Sequence, residues 1–499
     1  MNSKPKRDFS RIEGLSICLA FIAIQLSSEL NAAWGNYFYS PPEGTGRIVY
    51  VAIGLSAWIF VAGRVTDFII DPLIGAWSDK TPTRPGRWRI FPIAGRRRPF
   101  LFYGAFLTLI TSIATWYPPV PDTSIVNFLY GTAIVSLHWV FFGLCFIGLQ
   151  SLGPEIARSP EGRTEIGMWT AWGLAIGLAI AYIVPGILIE SLDPARHADP
   201  PSESPVGFQR MAIIMSIVSL LLFLLPVWLV RERFDSERTP QTTPGMRTIY
   251  QAFFNRPFLM YFGVYFFFQL GQLATQRILP YWVQIGLGGN EATVGAMMMP
   301  FMLMIFLVFP FVPALSRWFK IKWLMFACVA ILTSGFPPMY FLAVWQPAAD
   351  VATSPLLDWW MNLAQVESTT AGLKTFLGAI MFAWSGIGQG LFYALLIPML
   401  GEIIDMDERR SGERREAVYN GLQGTAIKSA QAIAILISNM SMQRWGNSTA
   451  DPDGIYYVPL IATGFGIVAL GLISVYPVYS RSTGSPPTTE AKRPRAAPP

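Results

Sequence analysis

The sequence predicts an all-α integral membrane protein of twelve transmembrane helices arranged as two pseudo-symmetric six-helix bundles. Three observations lead there. Of the 499 residues, 52% are hydrophobic and only 14% charged, whereas soluble domains carry roughly 25% charged residues. The apolar residues fall in runs, such as Met211 to Val230 and Ile455 to Tyr479, that reach the about 20 residues a helix needs to cross a bilayer. Lysine and arginine are concentrated in alternate connecting segments, the distribution that orients a multi-span chain.

Hydropathy places the spans at 13–38, 48–73, 100–117, 128–154, 166–190, 208–230, 257–284, 292–314, 322–345, 374–402, 417–442 and 455–480. The first bundle is expected over 1–230, a polar central loop over 231–256, the second bundle over 257–480 and a disordered Pro-, Ser- and Thr-rich tail over 481–499. With the N-terminus in the cytoplasm, 29 of the 37 Lys and Arg fall on that side and five on the other. This is the positive-inside distribution for an even number of spans, with both termini cytoplasmic. It accounts for the net charge of +6 without a nucleic-acid partner; the basic clusters are read as setting topology beside the membrane lipids, with specific binding of anionic lipid the alternative. The stretch after the basic start, Met1 to Arg11, is too long and too polar inside for a cleaved signal, so it is read as a retained first span. Cys18, Cys145 and Cys328 all fall within spans without metal-ligand spacing and are read as packing residues. A weak internal repeat joins Gly153-Pro-Glu-Ile and Glu161-Gly-Arg-Thr-Glu, after the fourth span, to Gly401-Glu-Ile-Ile-Asp and Gly412-Glu-Arg-Arg-Glu, after the tenth. Two such halves place a ligand between them near the midplane.

Three basic residues remain inside spans: Arg64, Arg277 and Lys428. Each costs about 2.5–3.5 kcal/mol at a helix centre unless paired, which marks it for function or for an ion pair. In the second span Arg64, Asp67 and Asp71 are spaced i, i+3, i+7 and share one stripe. Two carboxylates one turn apart raise each other's pKa, while a neighbouring cation lowers it, so the pair suits a proton or a small cation. Lys428, deep in the eleventh span among Asn420, Gln423 and Gln431, is the candidate to reach Asp67 across the bundles. Further polar residues line single faces: Gln25, Ser28, Glu29 and Asn36 on the first span; Gln269, Gln272, Gln276 and Arg277 on the seventh; Trp384, Gln389 and Tyr393 on the tenth. Amides beside an aromatic form a surface that sugars favour, although polar groups also glue helices together. His138 is read as structural.

Two segments resemble the glycoside–pentoside–hexuronide:cation symporters, a branch of the major facilitator superfamily that includes the melibiose permeases. One is Arg64-Val-Thr-Asp67-Phe-Ile-Ile-Asp71-Pro72-Leu-Ile-Gly75 with Ser78-Asp79-Lys80-Thr81 and Gly95-Arg96-Arg97-Arg98-Pro99-Phe100; the other is Asp405-Met-Asp407-Glu408 to Gly412 and Arg414, followed by Lys428. Pro154-Glu155 through Arg163-Thr164 is similar to a third family loop. The resemblance implies alternating access, with Asp67 and Asp71 as coupling carboxylates and Lys428 linking the ion and solute sites. Asp79, Arg96, Arg97, Arg98, Asp405 and Arg414 would form a cytoplasmic gate. Gln25, Arg64, Gln272, Arg277, Trp384 and Gln389 are the further solute or coupling candidates. The chain departs from the melibiose permeases at Ile70, which precedes the second Asp, and at Gly143, Phe146 and Ala171, where that family has a cation threonine, a sugar aspartate and an arginine. Its span-one sugar aspartate aligns with Gln25. Fewer oxygen ligands favour H⁺ over Na⁺ as coupling ion.

The expectation is therefore a cation-coupled carrier of a sugar, glycoside or related solute, acting as a monomer in a bacterial inner membrane, with no cofactor or metal. An amphiphile or lysolipid carrier is the alternative. A membrane enzyme lacks support, since no phosphate loop, metal spacing or nucleophile motif occurs and there are two histidines. A non-transporting sensor would need an added soluble domain, and the 346–373 loop is short.

Overall fold

The computed structural model describes residues 8–81, 95–157, 159–196, 198, 202–232, 246–348, 352–413 and 415–476. They contain twelve long helices: α1 Arg11–Leu30, α2 Ile53–Lys80, α3 Arg98–Ala114, α4 Ile125–Ile156, α5 Pro160–Leu192, α6 Val206–Leu229, α7 Arg256–Tyr281, α8 Glu291–Val308, α9 Ile321–Val344, α10 Thr369–Ser411, α11 Glu416–Trp445 and α12 Asp453–Val475. Ten segments are long and apolar enough to cross a membrane. The expected third and eleventh spans are not among them. α3 is apolar but has 17 residues. α11 has 30 residues, but its hydropathy is diluted by Asn420, Gln423, Lys428 and Gln431.

Local chemistry sets the helix ends. Ser10 and Glu13 close a reciprocal capping box on α1, and Asn290 with Thr293 does so on α8. Ser159 caps α5, with Pro160 in its first turn. α10 runs nine residues past its expected end at 402 because its polar final turns do not need the membrane, and it stops at Gly412, whose φ of 74° suits only a residue without Cβ. Two stretches expected as loops carry short helices, Met246–Phe253 and Pro355–Ala364. Pro72 lies inside α2 directly after Asp71. Its missing N–H interrupts the helix ladder beside the carboxylates.

The packing repeats itself. In the first half α1 packs on α5 and α6, α2 on α4, and α3 on α4 and α6; adding six to each number gives the contacts of the second half. The same rule exchanges the two contacts that join the halves, α5 with α8 and α2 with α11. The first helix of each half also ends in a π-helical turn, Asn31–Gly35 after α1 and Trp282–Leu287 after α7. Such turns concentrate at functional positions. Connections alternate between two ends of the bundle. At the end of the termini, Asp8 meets Ser159 and Glu13 meets Arg231; at the far end, Thr123 bonds Val49 and Glu43 pairs with Asn447.

The α5–α8 crossing is close because it is lined by glycine. A Cβ on Gly186 would run into the Glu291 carbonyl oxygen, and one on Gly295 would stand 2.5 Å from that of Ile183. Small residues allow this approach in membrane bundles. Gly295→Leu is therefore expected to destabilise the fold by about 1–3 kcal/mol through overpacking, read as a lower thermal midpoint of the detergent-solubilised protein. Gly464→Leu, at an exposed glycine with nothing within 4 Å, is expected to leave that midpoint unchanged.

Candidate functional site

Where α2 crosses α11, three of the expected residues meet. The Lys428 ammonium lies 3.1 Å from Asp67 Oδ2 and 2.5 Å from Asp71 Oδ2, and 3.5 Å from the Asp67 backbone carbonyl. Arg64 stands 3.9 Å from Asp67 Oδ2, with its guanidinium 3.8 Å from the centre of the Trp139 ring, a contact that offsets part of its desolvation. Arg64 and Asp67 are buried. Asp71 Oδ1 is buried without a hydrogen-bond partner among the described residues. The wall it faces is Gly143, where a Cβ would lie 3.2 Å away, so that wall supplies no side-chain oxygen.

Charge continues from this cluster toward the second half. Arg64 is electrostatically coupled to Glu29, and Glu29 to Arg277. Arg277, expected within its span, is buried and donates to the Ala32 carbonyl in the π turn after α1. Tyr182 donates to Glu29 Oε2 at 3.1 Å and also lines a narrow cavity between α5 and the second half. Gln272 and Gln389, both expected at the solute site, line that cavity. Trp384 does not: it is 49% exposed on the outside of α10, with Nε1 donating to Ser334 Oγ. The face that turns inward is Ser385, Gln389 and Tyr393, spaced by four, and Trp384 sits one residue off it. Gln25 packs against Gly177 where α1 crosses α5, outside the cavity lining. Glu29 was visible in the sequence as an acid within an apolar span, but its face alone did not separate it from the other polar residues of α1. His138 is buried with Nδ1 3.5 Å from Thr111 Oγ1.

The far end is closed by a network that the sequence did not reveal. Glu291, at the start of α8, accepts from Tyr37 at 2.9 Å and pairs with Arg47 and, at 3.0 Å, with Arg196. Arg47 also meets Glu203 at 3.0 Å, and Arg196 meets Glu203 at 3.0 Å and Glu190 at 3.7 Å. Burial raises the Glu203 carboxyl, and the two arginines oppose that. Burial alone would lower Arg47, but Glu291, Tyr37 and Glu203 carry it above the usual guanidinium range. Beneath this network the segments beside the two π turns meet: Tyr37, just after the first turn, donates to Gln284 in the second at 2.5 Å, and Asn36 donates to Tyr281, just before the second, at 3.0 Å. Asn36 and Asn439 exchange amide hydrogen bonds of 3.1 and 2.9 Å, joined by Ser56. All these links from Tyr37, Asn36, Arg47 and Arg196 to the second half cross between the bundles. In the sequence Arg47 and Arg196 registered only as minority charges on one side, because no spacing connects residues so far apart in the chain.

At the end of the termini the basic residues expected as a gate are tied within the first half. The Arg96, Arg97 and Arg98 amides all donate to Glu232, a carboxylate placed at the positive start of α3. Arg97 also pairs with Glu155 at 2.9 Å and reaches Ser78 Oγ, and Arg98 Nε donates to the Val227 carbonyl at 2.6 Å. Burial raises the Glu155 carboxyl, and Arg97 pulls it back. In the second half Asp407 pairs with Arg415 at 3.9 Å, while Asp405 is exposed. Arg414 and the Asp79 side chain lie outside the described residues.

The family model described as "MFS/sugar transport protein" matches residues 16–477. An isoprimeverose transporter of Lactiplantibacillus pentosus is 20% identical over 471 residues, covering 92% of this chain and 88% of that one. An uncharacterized symporter of Synechocystis sp. is 22% identical over 481 residues, covering 79% and 80%. Among solved structures, the nucleoside transporter NupG superposes with a TM-score of 0.62 at 12% identity, over 94% of this chain and 100% of that one.

Because the Lys428 ammonium bridges buried Asp67 and half-buried Asp71, Lys428→Met is expected to destabilise the protein by about 3 kcal/mol, the lower end of the cost of leaving buried charge unpaired. Adding Asp71→Asn to Lys428→Met is expected to recover a substantial part of that loss. A double-mutant cycle on thermal midpoints reads the coupling; purely additive effects would mean that the pair is not formed.

Proposed function

The chain belongs to the MFS/sugar transport protein family, the glycoside–pentoside–hexuronide:cation symporter branch of the major facilitators, and from that premise we propose that it carries a sugar-like solute by proton-coupled symport. The observation that carries the reading is the position of Lys428 Nζ between Asp67 and Asp71. The ammonium is a built-in cation on the carboxylate pair, and α2–α11 is one of the two contacts joining the halves. A proton arriving on either aspartate removes half of the charge that holds Lys428. The ion site and the joint between the halves are thus one object, and occupying the first loosens the second.

A proton suits this site better than Na⁺. Sodium needs several oxygens at once, and the wall facing Asp71 Oδ1 is glycine. The solute binds at the cavity lined by Gln272, Gln389 and Tyr182, and Glu29 with Arg277 and Arg64 relays charge between it and the aspartates. The protein acts as a monomer in the bacterial inner membrane with both termini in the cytoplasm, so the closed far end is the outer face. The relatives are named as a symporter and an isoprimeverose transporter, which supports this reading over a lysolipid carrier. The driving force is the proton gradient, at about 2.3 kcal/mol per charge per 100 mV of membrane potential plus the concentration term.

Proteoliposomes given labelled mono- and disaccharides with an imposed H⁺ gradient are expected to accumulate solute. Asp67→Asn is expected to reduce this to passive equilibration. Stimulation by Na⁺ in proton-clamped vesicles would overturn the choice of ion, and gradient-independent uptake would overturn symport. Glu291→Gln, which weakens the hold on Arg47 and Arg196, is expected to raise several-fold the labelling of a cysteine introduced at Pro41 by a membrane-impermeant maleimide applied from outside. The three native cysteines are buried. Unchanged labelling would remove the latch role of the outer network.

A further inference from the structure

The connection between α9 and α10 carries a helix, Pro355–Ala364, with more apolar surface than the bundle covers. At about 100° per residue its side chains divide into three stripes. Leu357, Trp360 and Ala364 are buried where the helix packs on α8 and α10, and Trp360 Nε1 donates to Thr375 Oγ1 on α10 at 3.0 Å. Next to them round the helix, Leu356, Trp359 and Leu363 form a second apolar stripe, with Leu356 57% and Trp359 58% exposed. Asp358 and Asn362 share the remaining side and are exposed too. A helix with one apolar stripe packed, another bare and polar groups on the far side suits the plane where lipid meets water, the level at which Trp gathers in membrane proteins. Its neighbour agrees: α10 exposes Leu377 and Ile380 within about two turns of Thr375, so the helix borders an apolar, lipid-facing surface.

The same helix is tied to the network at the far end. Thr293 Oγ1 donates to the Ala364 carbonyl at 2.8 Å, and Asn290 Nδ2 to the Gln365 carbonyl at 2.9 Å. Gln365 ends the helix at a φ of 54°, in the left-handed region that a residue with a Cβ enters at a cost. Asn290 and Thr293 are the two members of the capping box that starts α8. Between them stands Glu291, the carboxylate of the second half that grips Arg47 and Arg196.

We propose that Pro355–Ala364 is a membrane anchor for the outer latch. Its Leu356, Trp359 and Leu363 stripe rests at the boundary between headgroups and chains of the outer leaflet. Through Asn290 and Thr293 it holds the start of α8 where Glu291 meets the two arginines. This rests on the reading of the far end as the outer face and of its network as a latch, and it gives that latch a partner outside the protein, the lipid surface. Moving the start of α8 away from the first half draws the stripe out of its boundary, and apolar area returned to water opposes the move.

The test places the full-length protein in phosphatidylcholine vesicles with an NBD fluorophore on Trp359→Cys, Leu363→Cys or Asn362→Cys; the native cysteines are buried. At the first two positions the fluorophore is expected to be quenched by phosphatidylcholine spin-labelled near its headgroup and protected from iodide. At Asn362, one residue away, the reverse is expected. Quenching by iodide at all three would put the helix in water and overturn the anchor. Protection from both quenchers at the first two would put a second copy of the chain there and also overturn it. A second arm combines Trp359→Glu with Leu363→Glu, which gives the stripe charges that the boundary disfavours. Both positions are exposed, so the thermal midpoint in detergent is expected to stay that of the parent. Maleimide labelling of the cysteine at Pro41 is expected to rise several-fold in vesicles. Unchanged labelling would overturn the hold on the latch. Glu291→Gln measured beside it separates the two readings. If it raises labelling and the double variant does not, the latch stands and the anchor falls; if neither does, both fall.

Discussion

An ion pair between helices of different halves is the constraint on which the rest of this structure turns. Inside an apolar span a charge must find its opposite. Asp67 and Asp71 on α2 find theirs in Lys428 on α11. The contact is short, partly shielded from water and positioned at one of the two crossings that hold the halves together. Pro72, inside the helix, lies next to it, and Arg64 over the Trp139 ring stands on the other side of Asp67. Changing the charge on either aspartate therefore changes the energy of the joint itself.

The two ends of the molecule use polar groups differently. At the far end two arginines of the first half, held by Glu190 and Glu203, grip Glu291 of the second, and beneath them Asn36 and Tyr37 meet Tyr281 and Gln284. At the end of the termini the described pairs, such as Arg97 with Glu155 and Asp407 with Arg415, brace each half internally. Charge-assisted hydrogen bonds are strong where water is scarce and geometry is fixed, so the far-end network sets how firmly that face stays closed. A row of alternating charges, from Asp71 and Lys428 through Asp67, Arg64 and Glu29 to Arg277, then runs to the cavity wall at Tyr182.

Much of the architecture was legible because a membrane imposes length and polarity rules on the chain. Span order, the paired halves and the stripe of Arg64, Asp67 and Asp71 follow from hydropathy and helical period alone. Legibility failed where polarity and membrane crossing conflict. α11 reads as a weak span because the residues that do its work are polar. It failed again on Trp384, whose type suits a sugar site but whose angular position, one residue away from Ser385 and Gln389, turns it outward. The far-end network stayed hidden because Arg47, Arg196, Glu203 and Glu291 come from separate connections and a helix start, which no local period relates.

The sequence by itself determined the class, the twofold plan and the identity of the buried charges, since each intramembrane charge is costly enough to announce itself one residue at a time. Only the tertiary structure decided which charges meet, which face of α10 looks inward, and which end carries the network between the halves. Those outcomes depend on distances of about 3 Å between residues hundreds of positions apart, set by how helices of two halves pack and not by the order of residues within any one of them.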